Sequence, residues 1–234
     1  AEAAPLKLLE KLLDSVERTI EAPDAGLWEF RGLAQVHTFT ILMHWAGASM
    51  AREISRKRGL DKLLQRAQSI RERTAKYIYE KCWSEKVGAY TQAVGKENLD
   101  ASLLMLINLG FISPDDQRAK RHLEAIVRDL GSANGFLHRY KHQDDFGDTH
   151  NTFTICSFWL AEAYGRLGMR DEGLAVFDKL LECSNHLGLY SEDIDPATGE
   201  LWGNFPQTYS HVGLINAAFT LSNDLPAVIN WQGQ

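Results

Sequence analysis

The strongest constraint in this sequence is an alternation between two kinds of helical segment. Residues 5–21 set Leu6, Leu9, Leu12, Leu13, Val16 and Ile20 on one stripe, and residues 61–82 do the same with Leu63, Leu64, Ala67, Ile70, Tyr77 and Ile78. That 3.6-residue period makes an amphipathic helix with one wet face. Two more such helices are expected over about 114–130 and 169–187; for the first, Ser113-Pro114-Asp115 offers an N-cap, a first-turn proline and an early acid. Between them lie about 35–58, 99–110, 151–167 and 207–222, apolar nearly all round and rich in Ala, Gly and Ser, as a helix packed on every side requires.

The junctions repeat as well. Gly26-Leu27-Trp28-Glu29, Gly88-Ala89-Tyr90-Thr91, Gly135-Phe136-Leu137-His138 and Gly188-Leu189-Tyr190-Ser191-Glu192 each follow an outer helix and lead toward an inner one. A recurrence of roughly 50–60 residues is the mark of stacked helix pairs. The expected fold is therefore all-α, an (α/α) toroid of helix hairpins with about four pairs and all four junctions on one rim. No Pro/Gly/Ser-rich linker interrupts residues 1–234, so a single domain is expected.

Composition narrows the function. A formal charge of −6, with Lys and Arg scattered, provides no footprint for a nucleic acid backbone. No run approaches the roughly 18 apolar residues that span a bilayer. Cys82, Cys156 and Cys183 are an odd set without CxxC spacing, which suggests buried free thiols and a reducing cytoplasm; a mature secreted chain would look the same. GxSxG and Gly-rich phosphate loops are absent, so neither a serine triad nor a nucleotide cofactor is expected.

Two of the four junctions carry a glutamate beside an aromatic residue, Trp28-Glu29 and Tyr190-Ser191-Glu192. Cleaving a glycosidic bond takes such equipment: one carboxylic acid protonates the leaving oxygen and a second carboxylate activates water or attacks the sugar. An aromatic neighbour desolvates the acid and gives a pyranose ring a flat apolar face, a part open to Trp28 and Tyr190. Solvated loop glutamates are the alternative. Arg31, two residues beyond Glu29, would share its side of an extended segment; a surface arginine is the plainer reading. His37 and His44 stand seven apart on one helical face without a third ligand, so packing or substrate contact fits them better than a metal. Asp100 opens an inner helix, as an N-cap or as a carboxylate aimed at substrate. Asp193–Glu200 departs from the calcium-loop spacing and reads as a Pro-led turn. The acidic group Asp144, Asp145 and Asp148 beside His142 and His150 reads as a rim loop or a solvated turn.

Taken together, GLWEFRG (26–32), VHTFTILMHWAG (36–47), LDASLLML (99–106), ICSFWLAEAYGRLG (155–168) and LGLYSEDIDPATGELWGNFPQTYSHVGLINAA (187–218) resemble the C-terminal portion of the glucoamylase-like glycoside hydrolases of family 15. The resemblance implies an (α/α)6 toroid that inverts α-linked glucosides of the starch, isomaltose, dextran or trehalose kind, with Glu29 as general acid and Glu192 as general base. It also implies that Trp28, Arg31 and Asp100 line or support the sugar subsites. Inversion asks for carboxyls roughly 6.5–9.5 Å apart. Family members have six helix pairs and an N-terminal Trp-x-Arg-Asp segment that grips the terminal glucose; four pairs and no such segment are found here. The chain is therefore expected to be part of a longer enzyme, to be completed by another chain, or to be a shortened relative. Little activity is expected of it alone, and association through an open helical edge is expected. A non-catalytic sugar-binding or assembly module and a metal-dependent α/α enzyme are the competing classes.

Overall fold

The computed structural model describes residues 3–30, 32–142 and 150–222. They form two compact units, one of residues 3–83 and 91–97, the other of residues 84–90 and 98–222. Helices dominate both.

In the first unit α1 (Ala3–Thr19), α2 (Thr38–Arg58) and α3 (Asp61–Tyr77) pack together, and α3 runs on through a π turn at Ile78–Cys82. The expected stripes do the packing: Leu13 and Ile20 meet Ala48 and Ala51 of α2 and Leu63, Ala67 and Ile70 of α3. Small residues on α2 let the neighbouring backbones approach. On the flank of α2 the Arg71 guanidinium lies 5.4 Å from the centre of the Trp45 ring, a cation–π contact. The last turn of α2 carries Arg56, Lys57 and Arg58, cations at the negative end of the helix dipole.

The second unit contains α4 (Met105–Asn108), entered through a 3-10 turn at Ala101–Leu104, then α5 (Gln117–Leu130), α6 (Thr154–Arg166), α7 (Arg170–Glu182) and α8 (Thr208–Leu221). Its core joins Phe158, Ala161, Leu180, Tyr190, Ala217 and Leu221; burying a side chain the size of Phe158 or Leu180 stabilises by about 1.5–3 kcal/mol. Three two-residue strands, Thr152–Phe153, Asp193–Ile194 and Leu201–Trp202, form an antiparallel ladder with Asp193–Ile194 in the middle. Fully buried His122 accepts the Tyr90 N–H on Nδ1 at 3.3 Å and places Nε2 3.1 Å from the Leu103 carbonyl. The ring is thus neutral with its proton on Nε2, and burial holds its pKa down at about 4.

Two local expectations are corrected. The segment 99–110 is helical only over 101–108, because Asp100 is extended at φ −140°, ψ 164°. The N-cap of α5 is Asp116, which accepts the Arg118 N–H at 2.8 Å. Ser113 and Pro114 form the turn before it, closed by the Asp116 N–H on the Ser113 carbonyl, since proline pre-sets φ for a turn as readily as for a helix. The four junction glycines, Gly26, Gly88, Gly135 and Gly188, all have positive φ, so the repeat seen in the sequence is a repeat of backbone conformation.

Candidate active site

Glu29 belongs to the first unit. Residues 26–29 make a single turn that begins with Asp24, whose Oδ1 accepts the Gly26 N–H at 2.6 Å. It closes with the Phe30 N–H on the Ala25 carbonyl (2.9 Å) and the Glu29 N–H on the Gly26 carbonyl (3.3 Å). This pairing ends a helix on a left-handed residue, a position glycine usually takes. Here Glu29 takes it, at φ 54°, the one non-glycine residue with positive φ among the described residues. An L-residue costs roughly 1–2 kcal/mol there. The turn is braced below: Asp24 and Gln35 pair as an antiparallel bridge, and His37 stacks on Phe30 with ring centres 5.9 Å apart. A Cβ on Gly26 would come within 2.9 Å of the His37 ring. The Glu29 carboxyl itself is exposed.

Glu192 belongs to the second unit, at the edge of the strand ladder. Its carbonyl accepts the Thr154 N–H at 2.9 Å, fixing it to the start of α6, and Ser210 Oγ on α8 donates to the Ser191 carbonyl at 2.8 Å. Glu192 is half-buried. Its neighbour Asp193, in the central strand, is driven by burial up to a pKa of about 6; the charge of Glu192 adds to that rise and Arg139 opposes it.

The other expected site residues fall into three groups. Trp28 is half-buried beside Glu29. Arg31 lies outside the described residues, as do Asp144, Asp145 and Asp148. His37, Asp100 and Tyr190 are only 2%, 3% and 1% exposed. Burial lowers the His37 pKa, opposed by Asp24 and the Gln92 carbonyl; Asp100 accepts from Ser102 Oγ at 2.5 Å; Tyr190 meets Phe158 and His211 edge-on in the core. His37 packs against the turn of Glu29 and Tyr190 lies two residues before Glu192, while Asp100 precedes the 3-10 turn at Ala101–Leu104; all three present almost no surface. His44 is likewise shifted down by burial. The tract at Asp193–Glu200 is a hairpin turn in which Asp195 Oδ1 accepts the N–H groups of Ala197 and Thr198 at 2.7 and 3.2 Å. Among the described residues no three His, Cys, Asp or Glu side chains cluster as metal ligands would. Asp193, expected only as the start of a Pro-led turn, and Asn204, given no role by the sequence, hold positions against Glu192; only their nearness in the SED and GNFPQ stretches pointed to them.

Helices of these two kinds define an all-α protein of the (α/α) toroid class, and the fold matches that of a bacterial glucoamylase solved with acarbose. The TM-score is 0.72 at 16% identity, over 92% of this chain and 37% of that one. The chain belongs to glycosyl hydrolases family 15, whose model matches residues 2–219. It is 35% identical over 222 residues to a trehalase of Mycobacterium tuberculosis, covering 92% of this chain and 32% of the relative. Identity to a trehalase of Thermoplasma volcanium is 31% over 217 residues, covering 93% and 35%. The chain thus spans about a third of the length of the curated relatives it matches.

Proposed function

We propose that this chain carries both catalytic carboxylates of a glycoside hydrolase that cleaves α-linked glucosides with inversion. Glu29, as the neutral acid, gives its proton to the glycosidic oxygen as the C–O bond breaks. Glu192, as carboxylate, takes a proton from the water that attacks the anomeric carbon from the opposite face. One water is consumed and two sugars leave. The observation that carries the reading is Glu29 at φ 54°: a turn that glycine would satisfy more cheaply holds a glutamate, and such backbone strain gathers at functional sites. Trehalose is the first substrate to test, because relatives 30–35% identical are trehalases; maltose and isomaltose follow.

Glu29→Gln and Glu192→Gln, made in the protein that contains this chain, should each lower trehalose turnover by roughly 10²–10⁴-fold with the thermal midpoint unchanged. Retained turnover in both would refute the assignment. Proton NMR of the first products should show one β-glucose for each α-glucose, since inversion at one anomeric carbon of trehalose leaves the other untouched. A crystal structure should place the two carboxyls roughly 6.5–9.5 Å apart.

A second observation concerns what completes the enzyme. On α8, Tyr209, Val212, Ile215 and Phe219 are 63%, 47%, 51% and 45% exposed and recur at helical spacing, an apolar stripe of the kind that marks a contact surface. We assign it to further polypeptide, either the rest of the longer protein that the relatives' lengths suggest or a second chain. Light scattering of residues 1–234 should then show association, weakened by Val212→Asp with Ile215→Asp; a stable monomer would overturn this. No described helix is long and apolar enough to cross a membrane. Cys82 and Cys156 are buried free thiols, Cys82 pushed up to about 11 by burial, whereas Cys183, also free, is only half-buried; we propose a reducing cytoplasm for the chain.

A further inference from the structure

Beyond the strand Leu201–Trp202 the antiparallel run continues, so that Asn204 lies against Glu192. Three hydrogen bonds join the pair. The Glu192 N–H donates to the Asn204 carbonyl at 2.9 Å; in return Asn204 Nδ2 donates to Glu192 Oε2 at 2.8 Å and the Asn204 N–H to the same oxygen at 3.3 Å. Gly203 makes the approach possible. It has φ 80°, and a Cβ there would sit 3.0 Å from both Cβ and Oε2 of Glu192.

Both donors converge on one carboxylate oxygen, and none of the three bonds falls on Oε1. A carboxylate turns freely about its last bond unless something fixes it. With Oε2 tied, the direction of Oε1 is set, and the lone pairs left to receive a proton are those of Oε1. A base whose accepting oxygen is fixed before the substrate arrives spends less of its barrier on orientation.

We propose that Asn204 is the positioning residue of Glu192, holding Oε2 so that Oε1 is the oxygen that receives the proton of the attacking water. The proposal rests on the reading of Glu192 as the base. It assigns no sugar contact to Asn204, so Asn204 acts on the rate through Glu192 and leaves substrate binding alone.

Steady-state kinetics on trehalose, in the protein that contains this chain, tests it. Asn204→Ala should lower kcat roughly 10- to 100-fold, the scale of a misplaced catalytic group, with KM within about twofold. Asn204→Asp keeps the shape and the backbone bonds but sets a second carboxylate against Oε2; it should lower kcat further with the thermal midpoint unchanged, which covers the case in which the alanine variant folds poorly. In a Glu192→Gln background the alanine change should have little further effect, because residues acting as one unit are not additive. Unchanged kcat in both Asn204 variants, or a raised KM at unchanged kcat, would overturn the proposal while leaving Glu192 as base. Wild-type turnover by Glu192→Gln would instead remove the reading beneath it.

Discussion

Glu29 sits on a left-handed residue that closes a single helical turn, while Glu192 lies beside a strand ladder with its side chain tied to Asn204. In the first region the backbone is held and the carboxyl is exposed. In the second it is the carboxylate that is held. The difference fits the two tasks proposed for them. An acid has to follow the leaving oxygen as its bond breaks, so what must be fixed is where its stem starts; a base has to aim one oxygen at a small water, so what must be fixed is the carboxylate plane.

The sharpest way to break this contrast is Glu29→Gly. If the left-handed turn is strain kept for function, glycine should abolish turnover, a loss of roughly 10²–10⁴-fold, while raising stability by about 1 kcal/mol. Chemical denaturation beside an activity assay reads both, and a destabilised glycine variant would end the strain argument. Glu192→Ala offers the opposite sign, with turnover lost and stability slightly lower, because the two bonds from Asn204 to its carboxylate vanish.

The next effect concerns only the second unit. His122 is neutral in the folded unit, its pKa held down at about 4, against 6.5 for the free ring. Below pH 6.5 the unfolded chain takes up a proton that the native ring refuses. Stability is therefore complete above pH 6.5 and is lost as pH falls toward 4, by about 3 kcal/mol in all. Urea unfolding at pH 7.5, 5.5 and 4.5 should show this slope, and His122→Gln should flatten it. An unflattened slope would locate the acid sensitivity elsewhere.

The smallest effect belongs to Asp193. Its pKa is raised from 3.8 to about 6, so the native state favours the protonated form, and the penalty of ionisation grows as pH rises through that interval and is complete above it. Asp193→Asn should thus stabilise at pH 7.5, by about 1 kcal/mol once partial exposure is allowed for, and gain nothing at pH 3.5. Equal melting shifts at the two pH values would show that the carboxyl is not strained by its surroundings.

By itself the sequence determined the helices and their order. Leu9, Leu13, Val16 and Ile20 of the expected stripe became the packed edge of α1 while Leu12 stays 54% exposed, and the Ala-, Gly- and Ser-rich segments became α2, α6 and α8, because hydrophobic period and residue size are local properties that survive whatever the chain packs against. It also marked Glu29 and Glu192 out from other glutamates through their aromatic neighbours and their recurrence at equivalent junctions. It could not say that the segment 99–110 would be helical over only eight residues, since that depends on Asp100 being held extended. Nor could it show that His37, Asp100 and Tyr190 would face inward. Asn204 escaped it altogether: twelve residues separate it from Glu192, and only the hairpin between them, closing around Asp195 and Gly203, brings its amide to Oε2. A side chain's propensity is written in its own neighbourhood, whereas its partner is chosen by where the rest of the chain returns.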